Sequence, residues 1–224
     1  MEESRCDFDA VILAGGRSSR LGGVPKQALV FQGSSLLERS LAAAAGAGRI
    51  VVVGDTAAVP AGTLPAGLLR CREEPAFAGP AAAIAAGLDA LSEAGATAPY
   101  TLVLACDMPL VSEAVTVLHA ALLAAPGTPG VMASGPDGRA QPLAGFYSTH
   151  GLRKAAEEMG ARGRLVNGSV RALLASLDVQ LVTVPAGATA DVDTWQDAAA
   201  LGIAAGTGAE ATSGAGGANV GGNS

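Results

Sequence analysis

The stretch from Leu13 to Lys26 reads LAGGRSSRLGGVPK and holds four glycines, two arginines and a lysine directly after an apolar run. Glycines let backbone N–H groups approach an anion, and cations neutralise it, so this density is what a triphosphate requires. Gly15, Gly16 and Gly23 therefore read as parts of a phosphate cradle, with Arg20 and Lys26 as its charges. Lys26 follows Pro25 rather than Gly, and no G-x-G-x-x-G occurs here, so P-loop ATPases and dinucleotide dehydrogenases both lose weight. Lys26 is informative because the chain has one other lysine, Lys154.

Three further segments carry polar groups in suggestive places. Asp107 ends the apolar run of LVLACDMP (Leu102–Pro109), where a carboxylate projects beyond the strand end and is placed to hold Mg²⁺ against nucleotide oxygens. Alone it reads equally well as a cap on the following turn; beside a glycine loop the metal role gains weight. Asp191 and Asp193 in DVDTWQD are two residues apart, which on an extended segment puts both on one face to complete a divalent-cation site. Their alternative is a solvated approach to a helix start. In REEPAFAGP (Arg72–Pro80), Glu74 offers acceptors to a base or ribose, and Gly79 leaves room for a ligand against the helix start, although the loop reads equally as a well-built turn.

Residues so dispersed need a sheet to gather them. Strand candidates are Asp9–Leu13, Ile50–Gly54, Tyr100–Ala105, Val131–Ser134, Pro142–Tyr147 and Val179–Val184, several apolar throughout, as strands covered on both faces are. Helix starts fall at the capping box Ser35–Glu38, at Pro80 (with a helix running through Leu91), and at the N-caps Ser112, Ser169 and Thr194. Pro136-Asp137-Gly138 reads as a turn between adjacent strands, which makes part of the sheet mixed. The expected architecture is α/β: a three-layer α/β/α Rossmann-like fold with a mainly parallel, partly mixed sheet and its ligand beyond the carboxyl ends of the strands.

Composition narrows the class. The 224 residues are 50% hydrophobic, 15% charged and 3% aromatic, enough for one sizeable core. A net charge of −6 without a basic run argues against nucleic-acid binding. The uncharged apolar stretch Pro75–Leu88 falls short of the roughly 20 residues a membrane span needs. The acidic start MEESRCDFDA lacks the pattern of a secretory signal, and three cysteines without metal-ligand spacing suit a reducing compartment, so a cytoplasmic location without disulfide or zinc site is expected. Residues 1–204 read as one domain, and 205–224, almost wholly Gly, Ala, Ser, Thr and Asn, as a disordered tail.

With these motifs in hand, the chain resembles the molybdenum cofactor guanylyltransferase family of nucleotidyltransferases, from Asp9 to about Ile203. LAGGRSSRLGGVPK and LACDMP are the specific motifs; REEPAFAGP, QPLAGFY (Gln141–Tyr147) and DVDTWQDAAALG support them. Gly15-Gly16 after Leu13-Ala14 looks like the guanylyl-transferring pattern, whereas related cytidylyltransferases usually carry Ala-Gly there. The resemblance implies that Leu13, Ala14 and Gly15 contact guanine, that Arg20 and Lys26 hold phosphates, that Asp107 binds Mg²⁺ with Asp191 or Asp193 as a second carboxylate, and that an acidic nucleotide contact falls near Glu74. Gly54 stands where some members carry a side chain that hydrogen-bonds the nucleotide.

The implied reaction is attack by the terminal phosphate of molybdopterin on the α-phosphorus of GTP, releasing pyrophosphate. Such a nucleophile is ionised near neutrality and needs no general base, in keeping with His119 and His150 lying outside every motif. Implied partners are the two substrates, with transient contact to other cofactor-biosynthesis proteins or recipient molybdoenzymes. Arg139, Gln141–Leu143, Arg162, Arg164 and Arg171 are candidates for the pterin side, the last three reading also as arginines that face solvent, the commoner case. Two other readings stay open: a transferase using another NTP or a sugar-phosphate acceptor, and a nucleotide-binding module without turnover.

Overall fold

Along the first strand, Ala10, Ile12 and Ala14 enter one apolar core while Val11 and Leu13 enter another, all buried. Side chains alternate across a strand, so one that is apolar at every position must be covered on both faces. The computed structural model, which describes residues 7–16, 21–57, 59 and 64–203, meets that requirement with helices above and below one sheet.

In chain order the elements are β1 (Phe8–Ala14), a 3₁₀ turn (Lys26–Ala28), the small hairpin β2 (Val30–Phe31) and β3 (Ser34–Ser35), α1 (Leu36–Ala43), β4 (Ile50–Gly54), β5 (Leu69–Cys71), α2 (Pro80–Glu93), β6 (Tyr100–Ala105) and α3 (Val111–Ala124). There follow β7 (Gly130–Ser134), β8 (Ala140–Ser148), α4 (Thr149–Ala161), α5 (Val170–Leu174), β9 (Gln180–Thr183) and α6 (Trp195–Ala200). Seven strands form a sheet in the order β5-β4-β1-β6-β8-β7-β9. Only β8 runs against its neighbours β6 and β7; the other pairings are parallel. Helices α1 and α3 cover one face and α2, α4 and α5 the other, so the α/β architecture read from the sequence is the one observed.

The local signals behave as their chemistry demands. Ser35 and Glu38 form a reciprocal capping box, Ser169 accepts from Ala172 N at 3.1 Å, and Pro80 opens α2. The Pro136–Gly138 turn joins β7 to β8, where Gly138 N donates to Gly135 O at 2.9 Å. Ser112 is not the cap expected: α3 starts two residues earlier than such a cap implies, at Val111, with Leu110 as N-cap and no side-chain cap bond. Ser112 lies inside the first turn, its carbonyl accepting from Thr116 Oγ1 at 2.9 Å. Two elements gave little sign. Strand β5 is three residues long with Arg70 at its centre, and α4 is mostly polar, burying only Leu152, Ala155 and Ala156. The expected tail from Ala205 lies outside the described residues.

One glycine holds the sheet's carboxyl edge closed. Gly54 ends β4 opposite Ala14, with φ at +128°, and a Cβ there would lie 2.6 Å from the Ala14 carbonyl and 2.8 Å from Gly15 N. The same crowding accounts for the missing side chain at this position. Replacing Gly54 with Ala is expected to destabilise the fold by about 2–4 kcal/mol, from backbone overlap and a disfavoured φ together. The urea midpoint reads this; a change within about 0.5 kcal/mol, the usual range for a surface substitution, would contradict it.

Candidate active site

The two best sequence motifs end on adjacent strands. Leu13 of β1 pairs with Ala105 of β6, and Cys106 N donates to Leu13 O at 3.0 Å, so the glycine loop and Asp107 leave the sheet side by side. From β1 the chain runs outward to β4 and β5, then returns to β6 on the other side of β1. Loops diverge at such a switch point and leave a crevice.

Lys26 enters from the 3₁₀ turn and donates from Nζ to Asp107 Oδ2 at 3.0 Å and to Asp193 Oδ1. Asp193 is delivered by its neighbour. Val192 is fully buried among Leu21, Leu29, Phe31 and Leu36, and its N donates to Asp107 O at 3.0 Å. With Val192 turned inward, Asp191 and Asp193 face outward beside Asp107. The segment is then locked by the next helix: Asp193 N, Thr194 N and Thr194 Oγ1 all donate to Asp197 Oδ2, at 3.1, 2.8 and 2.8 Å. Carboxylate oxygens of Asp107, Asp191 and Asp193 lie within 4.8 Å of one another, a hard-oxygen donor set suited to Mg²⁺ or Mn²⁺.

Electrostatics follow from this crowding. Burial pushes the Asp107 carboxyl above its ordinary range; Lys26 pulls it back and Asp191 adds to the rise. Burial also opposes the charge on Lys26, but Asp107 and Asp193 outweigh it and hold the ammonium's pKa above its usual value. Cys106, next to Asp107, is buried, and burial and the aspartate charge drive its thiol upward, so it forms a neutral wall of the crevice rather than a nucleophile.

The crevice has two lobes. The larger, about 440 Å³, is lined by Leu13, Lys26, Gly79, Cys106 and Asp107, with Leu143 and Asn167 closing it. The smaller, about 190 Å³, is lined by Ala14, Gly23, Gln27, Gly54, Asp55 and Arg72. Gly15, Gly16, Glu73 and Phe77 border both. Among the described residues, no atom lies within 4 Å of a Cβ built on Gly15 or Gly16. A wider depression of about 1190 Å³ lies at the amino ends of the strands, remote from the acidic cluster.

Most candidate residues therefore meet in one place. Leu13, Ala14, Gly15, Gly16, Gly23, Lys26, Gly79 and Asp107 line the crevice, and Asp191 and Asp193 stand beside Asp107. Arg20 lies outside the described residues. Glu74 is displaced from the crevice: it is exposed and borders an outer groove with Cys71, Ala82 and Asp89, whereas Glu73 faces inward. Gly79, at φ +94°, admits protein backbone as well as cavity, since a Cβ there would lie 3.4 Å from Asn167 Cα, and Gly168 O accepts from Ala81 N. Gln27 and Asn167 escaped sequence reasoning. Gln27 is buried and donates to Asp55 O at 2.7 Å, while Asn167 reaches the site only by tertiary packing, its sole local signal being the turn-prone Asn167-Gly168 pair. Of the pterin-side candidates Leu143 lines the larger lobe, and Arg162 is exposed beside Glu158 at 3.9 Å.

A sequence model of the MobA-like NTP transferase domain matches residues 10–183, from β1 to the end of β9. The chain belongs to this family. No curated protein sequence matches it significantly. Among solved structures, this MobA-like domain is similar to Rv0371c from Mycobacterium tuberculosis (24% identity, TM-score 0.65, covering 88% of this chain and 98% of that one). It is also similar to molybdopterin-guanine dinucleotide biosynthesis protein A from Archaeoglobus fulgidus (19%, 0.61, 86% and 96%). A third is 2-C-methyl-D-erythritol 4-phosphate cytidylyltransferase from Francisella tularensis (13%, 0.67, 88% and 98%). A further structure of Rv0371c is a complex with manganese (22%, 0.62, 87% and 97%). The chain is thus a nucleotidyltransferase-family protein. Among the described residues, no helix is long and apolar enough to cross a membrane.

Two measurements check the site's electrostatics. Lys26→Met leaves the aspartates unbalanced, for an expected loss of about 1–3 kcal/mol; Asp193, 44% exposed, keeps this below the 3–5 of a fully buried pair. Mn²⁺ should recover part of that loss in urea unfolding, and no recovery would remove the three aspartates as cation ligands. Burial, with Glu73, Asp89 and Glu93 nearby, pushes the Cys71 thiol up to about 11. In a Cys6→Ser background, alkylation of Cys71 should therefore keep rising from about pH 8 to about pH 10, with native Cys106 inert; a plateau near pH 9 would contradict this.

Proposed function

We propose that this nucleotidyltransferase transfers GMP from GTP to the terminal phosphate of molybdopterin in the cytoplasm, giving molybdopterin guanine dinucleotide and pyrophosphate. The observation that carries the reading is the meeting of Lys26 with Asp107 and Asp193 beside the glycine loop, in a crevice bordered by the Glu73 carboxylate. Guanine presents N1–H and N2–H₂ side by side as donors, which a carboxylate accepts together. Cytosine offers one amino group beside the N3 acceptor, which a carboxylate repels. Glu73 thus favours GTP, as does the Gly15-Gly16 pair.

Asp107, Asp191 and Asp193 would hold Mg²⁺, which when bound supplies charge neutralisation at the reacting phosphates. The protein's own groups supply the rest. Backbone N–H groups of the glycine loop cradle the phosphates, and Lys26, joined by Arg20, stabilises negative charge growing toward the leaving pyrophosphate. The acceptor phosphate is already an anion, so the site's task is to hold two anions in line rather than to remove a proton. The histidines fit that division: His119 packs at 5.6 and 5.7 Å from the rings of Phe8 and Phe146, and His150 is exposed on α4.

Thermal unfolding with Mg²⁺ and each of GTP, CTP, ATP and UTP tests the donor, because a ligand at 100 times its Kd adds about 2.7 kcal/mol to the folded state. Selective stabilisation by GTP is expected, followed by pyrophosphate release when molybdopterin is added. Asp107→Ala should lower turnover at least a hundredfold, on the order of the loss seen when one transition-state-stabilising group is removed. Selective stabilisation by CTP would instead favour a cytidylyl transfer.

A further inference from the structure

Of the chain's four phenylalanines, two tyrosines and one tryptophan, Phe77 is the most exposed large apolar side chain among the described residues, at 56%. Its backbone is also left-handed, with φ at +61°. Water around an aromatic ring and a left-handed conformation at a bulky residue are each unfavourable in the free protein, and such combinations gather at ligand sites.

The loop is built to hold that conformation. Phe77 N donates to Glu73 Oε1 at 3.1 Å, and the next residue, Ala78, is buried with its carbonyl accepting from Asn167 N at 2.6 Å. Pinned on both sides, Phe77 stands at the divide of the crevice, lining both lobes together with Glu73. The larger lobe adds the apolar walls Leu13, Val53 and Pro80. An apolar slot with an aromatic face on one side and a carboxylate at its border suits a flat heterocycle that carries hydrogen-bond donors on its rim.

We propose that Phe77 is a stacking platform for the base of the nucleotide donor, an inference that rests on the nucleotidyl-transfer reading above. Every base has a π face, so the platform supplies affinity without selecting the base, while Glu73 reads the rim. Selection and affinity are thereby assigned to two residues joined by one hydrogen bond.

Calorimetry with Mg²⁺ and either GTP or ITP, which lacks the 2-amino group, tests this in wild type, Phe77→Ala, Phe77→Leu and Phe77→Tyr. The alanine variant should bind both nucleotides on the order of tenfold more weakly, with the wild-type GTP-to-ITP ratio unchanged. Tyrosine should restore binding and leucine should not. In a Trp195→Phe background, Phe77→Trp should show fluorescence quenching that saturates with GTP binding. The ring is exposed, so the variants fold, and circular dichroism verifies it. If wild type binds GTP while alanine and leucine variants bind it equally well, or the tryptophan reporter stays silent, the platform is overturned and the transferase reading stands. If wild type binds CTP in place of GTP and the alanine variant weakens it, the guanine assignment fails and the platform survives. If wild type binds no nucleotide, both fall.

Discussion

One ammonium group among three carboxylates is the constraint on which the active-site end of this protein depends. Without Lys26, Asp107 and Asp193 would meet in a half-buried corner with no counter-charge; without them, a partly desolvated lysine would stand alone. The contact joins residues 81 and 167 positions apart, so it also ties the segment after the glycine loop to β6 and to the approach of α6. A cation arriving with a nucleotide would meet carboxylates already gathered.

Gathering them is the task of the sheet. Backbone pairing of β1 with β6 sets the glycine loop and Asp107 side by side, and the divergence of the chain on either side of β1 leaves the crevice above. Cores on both faces keep those strand ends from shifting, since the strands are apolar throughout and a slip by one residue would exchange the two cores. A third, smaller cluster around Val192 does the same for the acidic segment, which lacks a strand of its own in the sheet. Gly54 belongs to this scheme as a spacer: β4 comes so close to the end of β1 that no side chain fits.

How much was legible follows from how local each signal is. The six long strands announced themselves by runs of β-branched and leucine residues, and four of the six helix starts by Ser, Thr or Pro at the right offset. Ser112 misled because a serine before a glutamate serves a first helical turn as readily as a cap. Strand β5 and helix α4 escaped because one is three residues long and the other polar along most of its length. In the site, the glycine loop, Lys26 and Asp107 were plain from residue type, and the spacing of Asp191 and Asp193 gave their shared face. The acidic residue that borders the crevice is Glu73, next to the Glu74 read from the sequence. In a loop with no periodicity, nothing in REEP distinguishes Glu73 from Glu74; the bond from Phe77 N to Glu73 Oε1 belongs to the arrangement that does.

By itself, the sequence determined the alternation of most strands and helices, the sites of most of their caps and the list of charged and glycine residues available for phosphate chemistry, because these depend on neighbours within a turn or two of the chain. Only the tertiary structure decided that Lys26 sits between Asp107 and Asp193, that Glu73 rather than Glu74 borders the crevice, and that Asn167 and Phe77 shape it. Those are contacts between segments remote in sequence or side-chain directions in an irregular loop, and they are settled by which apolar surfaces pack together, a property no short window of residues contains.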